Sequence, residues 1–192
     1  MYTVFVKTKI KIINRLKSQR AYLAGAIDRC PNLGIAWRDE ITPFLRSIGV
    51  SVFNPMLKPI NLGREDGEAR SYRGNLKSTG NFDQLSIIMK EIRNVDLRMV
   101  DISDFMIANI DLDIHPCGTY EEIFWANRQK KPIIVRMKQG KKSCPDWLFG
   151  TIPHSMIFST WEEVKSYLEY IDSSTNIENF SRWYFFNLGK LK

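Results

Sequence analysis

The 192-residue sequence predicts an α/β fold built on a five-stranded, mostly parallel, doubly wound sheet with helices on both faces. Three observations carry this expectation. Short apolar runs alternate with segments of helical spacing along the whole chain. Residues 104–137 read as apolar run, glycine turn, helix and second apolar run, the order of a parallel crossover. A capping-box pattern, Thr160 with Glu163 three residues later, opens a final helix after another apolar run.

Residues 20–25, ending in Gly25, are the first strand. Residues 34–48 form a helix that places Ile41, Phe44, Leu45 and Ile48 on one stripe. Pro43 within it marks a kink or a late start. Gly49 ends the helix, and residues 50–54 before Pro55 are the second strand. Residues 55–80 are rich in glycine and charge with little periodicity, which predicts a long loop acting as a lid or substrate-facing excursion. Helical spacing returns over 82–100, with Leu85, Ile88, Ile92, Val95 and Met99 on one stripe. The third strand is 104–111, followed by a helix over 118–130 and a fourth strand over 132–137. A basic, turn-rich segment spans 138–153, then come a fifth strand at 155–159 and a helix at 161–171. Residues 1–172 thus make one domain. Residues 173–192 start polar and end in Phe180, Trp183, Tyr184, Phe185, Phe186 and Leu188, too aromatic for a disordered tail. This extension is expected to pack on the domain or on a partner subunit.

Composition narrows the function. Hydrophobic residues at 44% and charged residues at 26% suit a soluble globular domain. No apolar stretch approaches the ~18 residues of a membrane span, and the first residues lack the order of a secretory signal. Three cysteines without a close pair (Cys30, Cys117 and Cys144) fit a reducing compartment, so a cytoplasmic location is expected. Two histidines, far apart, do not supply a transition-metal site, and no metal or other cofactor is expected. The net charge of +7 is compatible with nucleic acid, a phosphorylated small substrate or solubility alone. Basic residues concentrate only at Lys7, Lys9, Lys11, Arg15, Lys17 and Arg20, without any nucleic-acid-binding signature, so nucleic acid is not the expected partner.

Chemistry points to residues 118–126, Gly-Thr-Tyr-Glu-Glu-Ile-Phe-Trp-Ala. Glu122 is expected in the first turn of a helix at the carboxyl end of a parallel strand, where open α/β sheets build their sites. There the helix amides would help hold its carboxylate ionised. Taken alone, such a glutamate only complements the helix dipole, Asp96 is a solvated helix residue, and Gly25 and Gly118 are turn glycines.

Their joint order is more specific. Tyr22-Leu-Ala-Gly25, Asp96-Leu97 eight residues before Asp104, Gly118-Thr119 with Glu122-Ile123 and Ala126, and Lys131-Pro132 together resemble the nucleoside 2-deoxyribosyltransferase superfamily. That group includes the deoxynucleoside 5′-monophosphate N-glycosidases. The resemblance runs from about residue 20 to 137. It implies a flavodoxin- or Rossmann-like sheet and cleavage of the N-glycosidic bond of 2′-deoxynucleosides or their monophosphates. Glu122 would attack the anomeric carbon and form a covalent deoxyribosyl-enzyme, Asp96 would protonate the leaving base, and Tyr22 would place a hydroxyl near the nucleophile. Another base or water would then take the sugar. The family also implies a small-molecule nucleoside or nucleotide as partner and a homo-oligomer.

Residues lining the pocket are expected to include Gly25, Asp28, Trp37, Arg38, Asn54, Asp111, Gly118 and Thr119. Trp37 would stack on a base or pack on the sheet, and Arg38 would meet an anion or lie on its helix surface. Asp111, with Asp113, ends strand three as a ligand contact or a turn former. Thr119 offers a hydroxyl and an amide at a helix start. The sequence departs from the monophosphate glycosidases where they carry a serine and an arginine after the first-strand glycine. Here stand Ala26 and Asp28, whose charge would repel phosphate unless a neighbour such as Arg29 compensates. Arg64, Arg70 and Arg73 offer substitutes from the 55–80 segment. The missing grip tips the expectation from hydrolase toward transferase. The rival expectation is a non-catalytic nucleotide-binding or sensing protein on the same scaffold.

Overall fold

The computed structural model describes residues 13–30, 32–58, 62–175 and 182–186. Five strands, β1 (Arg20–Gly25), β2 (Ser51–Phe53), β3 (Phe105–Ile110), β4 (Ile133–Met137) and β5 (Ile157–Phe158), form one sheet in the order β2-β1-β3-β4-β5. Every pairing is parallel. The sheet is therefore all-parallel and doubly wound, as the alternating pattern predicts. The central strands are apolar over most of their length because both faces are covered: Ala21–Ala24 and Phe105–Ala108 are fully buried.

Six helices accompany the sheet: α1 (Ile35–Ser47), α2 (Gly67–Ser78), α3 (Phe82–Ile102), α4 (Cys117–Arg128), α5 (Asp146–Phe149) and α6 (Trp161–Ser173). α1 and α6 meet through Trp37 and Trp161, whose rings stack 5.6 Å apart, while α3 and α4 pack against one another and on β1. From β1 the chain winds outward to β2, then returns past β1 to β3. The carboxyl ends of β1 and β3, where Gly25 pairs with Asn109, consequently border the crevice at which the winding reverses.

Three expectations change. Residues 55–80 are not a structureless loop: they hold a 3-10 turn at Pro55–Leu57 and the twelve-residue α2. Asp66 caps α2 by accepting from the Ala69 amide at 2.9 Å. Its only buried residues are Arg73 and Leu76, so no apolar stripe announces it. Pro43 neither ends nor delays α1, which Ile41 and Leu45 anchor in the core on either side of it. β5 shrinks to two residues because a 3-10 turn, His154–Met156, follows Pro153.

Lys131-Pro132 turns out to hold the frame. The Lys131 ammonium donates to the carbonyls of Val100, Asp101 and Ser103, satisfying the end of α3 just before β3 begins. Lys131→Met is expected to cost about 2 kcal/mol, read as a lowered urea midpoint with unchanged m.

At the other end of the chain, Trp183 is buried against Phe105 (ring centroids 5.2 Å apart) and stacks on Phe186, and its indole N–H donates to the Tyr167 hydroxyl at 3.0 Å. Residues 182–186 thus cover this domain's own core. Phe180 and Leu188, like Lys7, Lys9 and Lys11, lie outside the described residues.

Candidate active site

A cavity of about 500 Å³ opens at the crevice, a volume suited to a small-molecule ligand. Its wall comes from four places: the segment after β1 (Gly25 to Arg29), Glu65 with Arg73 of α2, one face of α3, and residues 115–122 at the start of α4. Of the residues expected at the site, Gly25, Asp28, Asp96, Gly118, Thr119 and Glu122 line it.

Glu122 holds the centre of this wall. Its Oε1 accepts a hydrogen bond from the Tyr22 hydroxyl at 2.7 Å, so Tyr22, fully buried in β1, reaches the cavity through the glutamate. α4 starts at Cys117 and carries no acidic residue in its first turn, which places Glu122 in the second. The helix amides therefore do not hold it ionised. Burial pushes its carboxyl up to about 8, opposed by the Tyr22 hydrogen bond and reinforced by Asp96 and Glu65. The same burial raises the Tyr22 phenol well above its ordinary value, so it stays a donor.

Asp96, on α3, is buried and faces three-way company. The Lys58 ammonium lies 2.8 Å from its Oδ1, an ion pair whose angle falls outside hydrogen bonding. Lys58 also donates to Glu65 Oε2 and to the Gly63 carbonyl, each at 2.7 Å. Burial and the Glu65 charge outweigh Lys58 and raise the Asp96 carboxyl to about 7.

Four expected pocket residues lie elsewhere. Trp37 stacks on Trp161, and it closes against β1 so tightly that a Cβ on Gly25 would meet its ring at 2.7 Å. Gly25 is thus required by packing. Arg38 is fully buried and donates to the carbonyls of Leu23, Gly25 and Gly34, tying down the end of β1 and the loop after it. Asn54 caps the 3-10 turn at 55–57 through the Met56 amide and borders a different hollow, between α1 and β2. Asp111 pairs with Lys138 at 2.7 Å and accepts from Gln139, which fastens the end of β3 to that of β4. All four sit near strand ends, where sequence position alone does not tell which way a side chain turns. Gly118 is no turn glycine either. It is helical, with nothing within 4 Å of a would-be Cβ, and it leaves the wall open.

The partner of Asp28 is Arg73, at 3.1 Å, with Lys77 at 3.8 Å; Arg29 makes neither contact. Of the three arginines in the 55–80 segment, only Arg73 lines the cavity. Arg64 pairs with Asp66, and Arg70 donates to the Cys30 carbonyl. Sequence reasoning missed Lys58 and Glu65 altogether. Among the described residues, no group of three or more His, Cys, Asp and Glu is arranged to hold a metal ion.

The fold and cavity define an α/β protein with its site at the carboxyl ends of parallel strands. Its fold is that of a solved 2-deoxyribosyltransferase structure. The enzyme from Bacillus psychrosaccharolyticus matches with a TM-score of 0.51 at 18% identity, over 77% of this chain and 91% of its own. A 2-deoxyribosyltransferase from Leishmania mexicana (TM-score 0.48, 17% identity) and a CMP N-glycosidase from Clostridium botulinum (0.44, 20%) each match over 79% of this chain and 98% of their own. No protein-family model and no curated protein matches the sequence.

One consequence for stability follows from Glu122 alone. A carboxyl at about 8 in the folded protein and at its ordinary 4.5 in the unfolded chain favours folding fully below pH 4.5. That contribution is lost as the pH rises toward 8. Glu122→Gln keeps an acceptor for Tyr22 without the ionisation. It is expected to raise stability at pH 9 by about 2 kcal/mol, or about 4–8 °C in Tm, with the gain vanishing toward pH 4. Thermal denaturation at the two pH values checks this.

Proposed function

We propose that the chain cleaves the N-glycosidic bond of a 2′-deoxynucleoside or its monophosphate and passes the deoxyribosyl group to another base or to water. The observation that carries this is a half-buried carboxyl, Glu122, bonded to a tyrosine hydroxyl and lining one cavity with a second, buried carboxyl, Asp96. The deoxyribosyl transfer performed by the Bacillus enzyme of the same fold supports the assignment.

In this mechanism the ionised Glu122 attacks the anomeric carbon as the bond to the base lengthens, trapping an oxocarbenium-like transition state as a glycosyl ester. The Tyr22 hydroxyl steadies the attacking carboxylate through its 2.7 Å hydrogen bond. Asp96, raised to about 7, protonates the departing base nitrogen. A second base or water then attacks the same carbon and releases Glu122. Arg73 is already engaged by Asp28, and Arg29 is left as the positive charge beside the cavity that a phosphate would meet. The absence of the serine and arginine after the first-strand glycine favours deoxynucleosides over monophosphates and transfer over hydrolysis.

The test is incubation with a panel of deoxynucleosides and deoxynucleotides, with and without a second base. Released base and newly formed nucleoside are read by chromatography. Release from at least one deoxynucleoside is expected, and product only with the second base present would assign a transferase. The protonated Glu122 of the resting site also suits a binding or sensing protein, in which that carboxyl donates to a ligand. Tight nucleotide binding without any product on long incubation would favour that reading.

A further inference from the structure

We propose that Glu65 is the second half of the proton donor, sharing one proton with Asp96, and that Lys58 is the positioning residue that holds the two carboxyls together. This deepens the N-glycosidic reading and rests on it. The geometry is a single ammonium, 4% exposed, bridging two carboxyls that are 11% and 10% exposed, at 2.7 Å and 2.8 Å. Both carboxyls line the cavity. Gly63, through its carbonyl, and Glu65 each take an ammonium proton, which fixes the Lys58 head beside both carboxyls.

One positive charge does not balance two buried carboxylates, so the cluster is best satisfied with a proton retained between Glu65 and Asp96. Among the described residues the other charges lining the cavity are paired, except Arg29 after β1. Asp28 pairs with Arg73, and Glu121 pairs with Arg93 of α3. Tyr22 of β1 is a neutral donor committed to Glu122, the buried Arg38 guanidinium of α1 acts on Glu122 from behind the wall, and His115 and Cys117 at the start of α4 complete the titratable set. Glu65 reinforces the proton on Asp96 because its own negative charge makes that acid weaker.

The step balances without any further reactant in the first half. The bond from the anomeric carbon to the base breaks, its electron pair leaves with the base, and the proton on Asp96 moves to the base nitrogen. A Glu122 oxygen forms the new bond to the anomeric carbon. Glu65 and Asp96 are then both ionised, with Lys58 between them. In the second half the acceptor, a base N–H or water, bonds to the same carbon. The ester pair returns to Glu122, and the acceptor's proton refills the carboxyl pair.

The test compares the full-length wild type with Glu65→Gln and Lys58→Met, following Asp96 by carbon-13 carboxyl NMR across pH and base release by kcat/KM. Glu65→Gln removes a negative neighbour, so the Asp96 titration should move down by about one pH unit or more. Lys58→Met removes a positive one, so it should move up by a similar amount. The lower limb of the pH–rate profile should follow in each case, and Glu65→Gln should lower the maximum for base release about tenfold. Release of 4-nitrophenol from its 2-deoxyriboside, which needs no protonation, should change by less than about threefold in Glu65→Gln. Unmoved titrations, or movement in the same direction in both variants, would overturn the pair as a proton-sharing device. If Lys58→Met does not fold, the Glu65→Gln titration alone decides. The NMR readout needs no turnover, so the two failures separate. A wild type inactive on every deoxynucleoside with titrations that move as expected sinks the functional reading and keeps the pair. An active enzyme whose Asp96 titration ignores Glu65 sinks the pair alone.

Discussion

Replacing Glu122 by alanine is expected to lower base release from deoxynucleosides by at least about 10³-fold while the far-ultraviolet circular dichroism stays unchanged. The size follows from the role: without the carboxylate no glycosyl ester forms, and the oxocarbenium-like transition state loses its nearest negative charge. The fold should survive because α4 is anchored by its apolar side, where Ile123 and Ala126 are buried. Truncation also removes a carboxyl whose ionisation the fold resists. Mass spectrometry supplies a second measurement. Wild type mixed with a deoxynucleoside and no acceptor should accumulate a deoxyribosyl adduct on the peptide bearing Glu122, and the alanine variant should show none. An unchanged rate in the variant would remove Glu122 as the nucleophile.

Asp96→Asn is expected to slow base departure by about 10²-fold or more, with far less effect on a leaving group that departs as a stable anion. The pH dependence should change shape as well. Chemistry needs Glu122 ionised and Asp96 protonated, which makes the wild-type profile a bell with limbs near 7 and 8. Asp96 is the stronger acid of the two, so the productive arrangement is the minor form of the singly protonated enzyme. With asparagine at 96 only Glu122 titrates, and the residual rate should rise with pH to a plateau. A variant that keeps the bell and the full rate would assign proton delivery to another group.

Much of the frame was legible because its signals are local. β1, β3 and β4 are predominantly apolar runs, and the Thr160–Glu163 capping box that opens α6 is present in the structure. Glu122, Asp96 and Tyr22 could be named together because the resemblance carries them in one motif order. α2 was hidden because its ties are ionic and capping contacts, with only Arg73 and Leu76 buried. Arg38 and Trp37 were misplaced because sequence distance to β1 does not reveal which face of the sheet a helical residue meets. Lys58 and Glu65 were invisible for another reason. Their meaning lies in α3, some thirty or more residues further on, and an isolated Lys or Glu in a glycine-rich stretch carries no mark of burial.

α2 is tied to the segment beyond β1 by polar contacts: Arg73 to Asp28, Lys77 to Asp28 and Arg70 to the Cys30 carbonyl. Two of the three are ion pairs, so the grip of α2 on that segment should loosen as mobile ions accumulate and is set by the medium as much as by the chain.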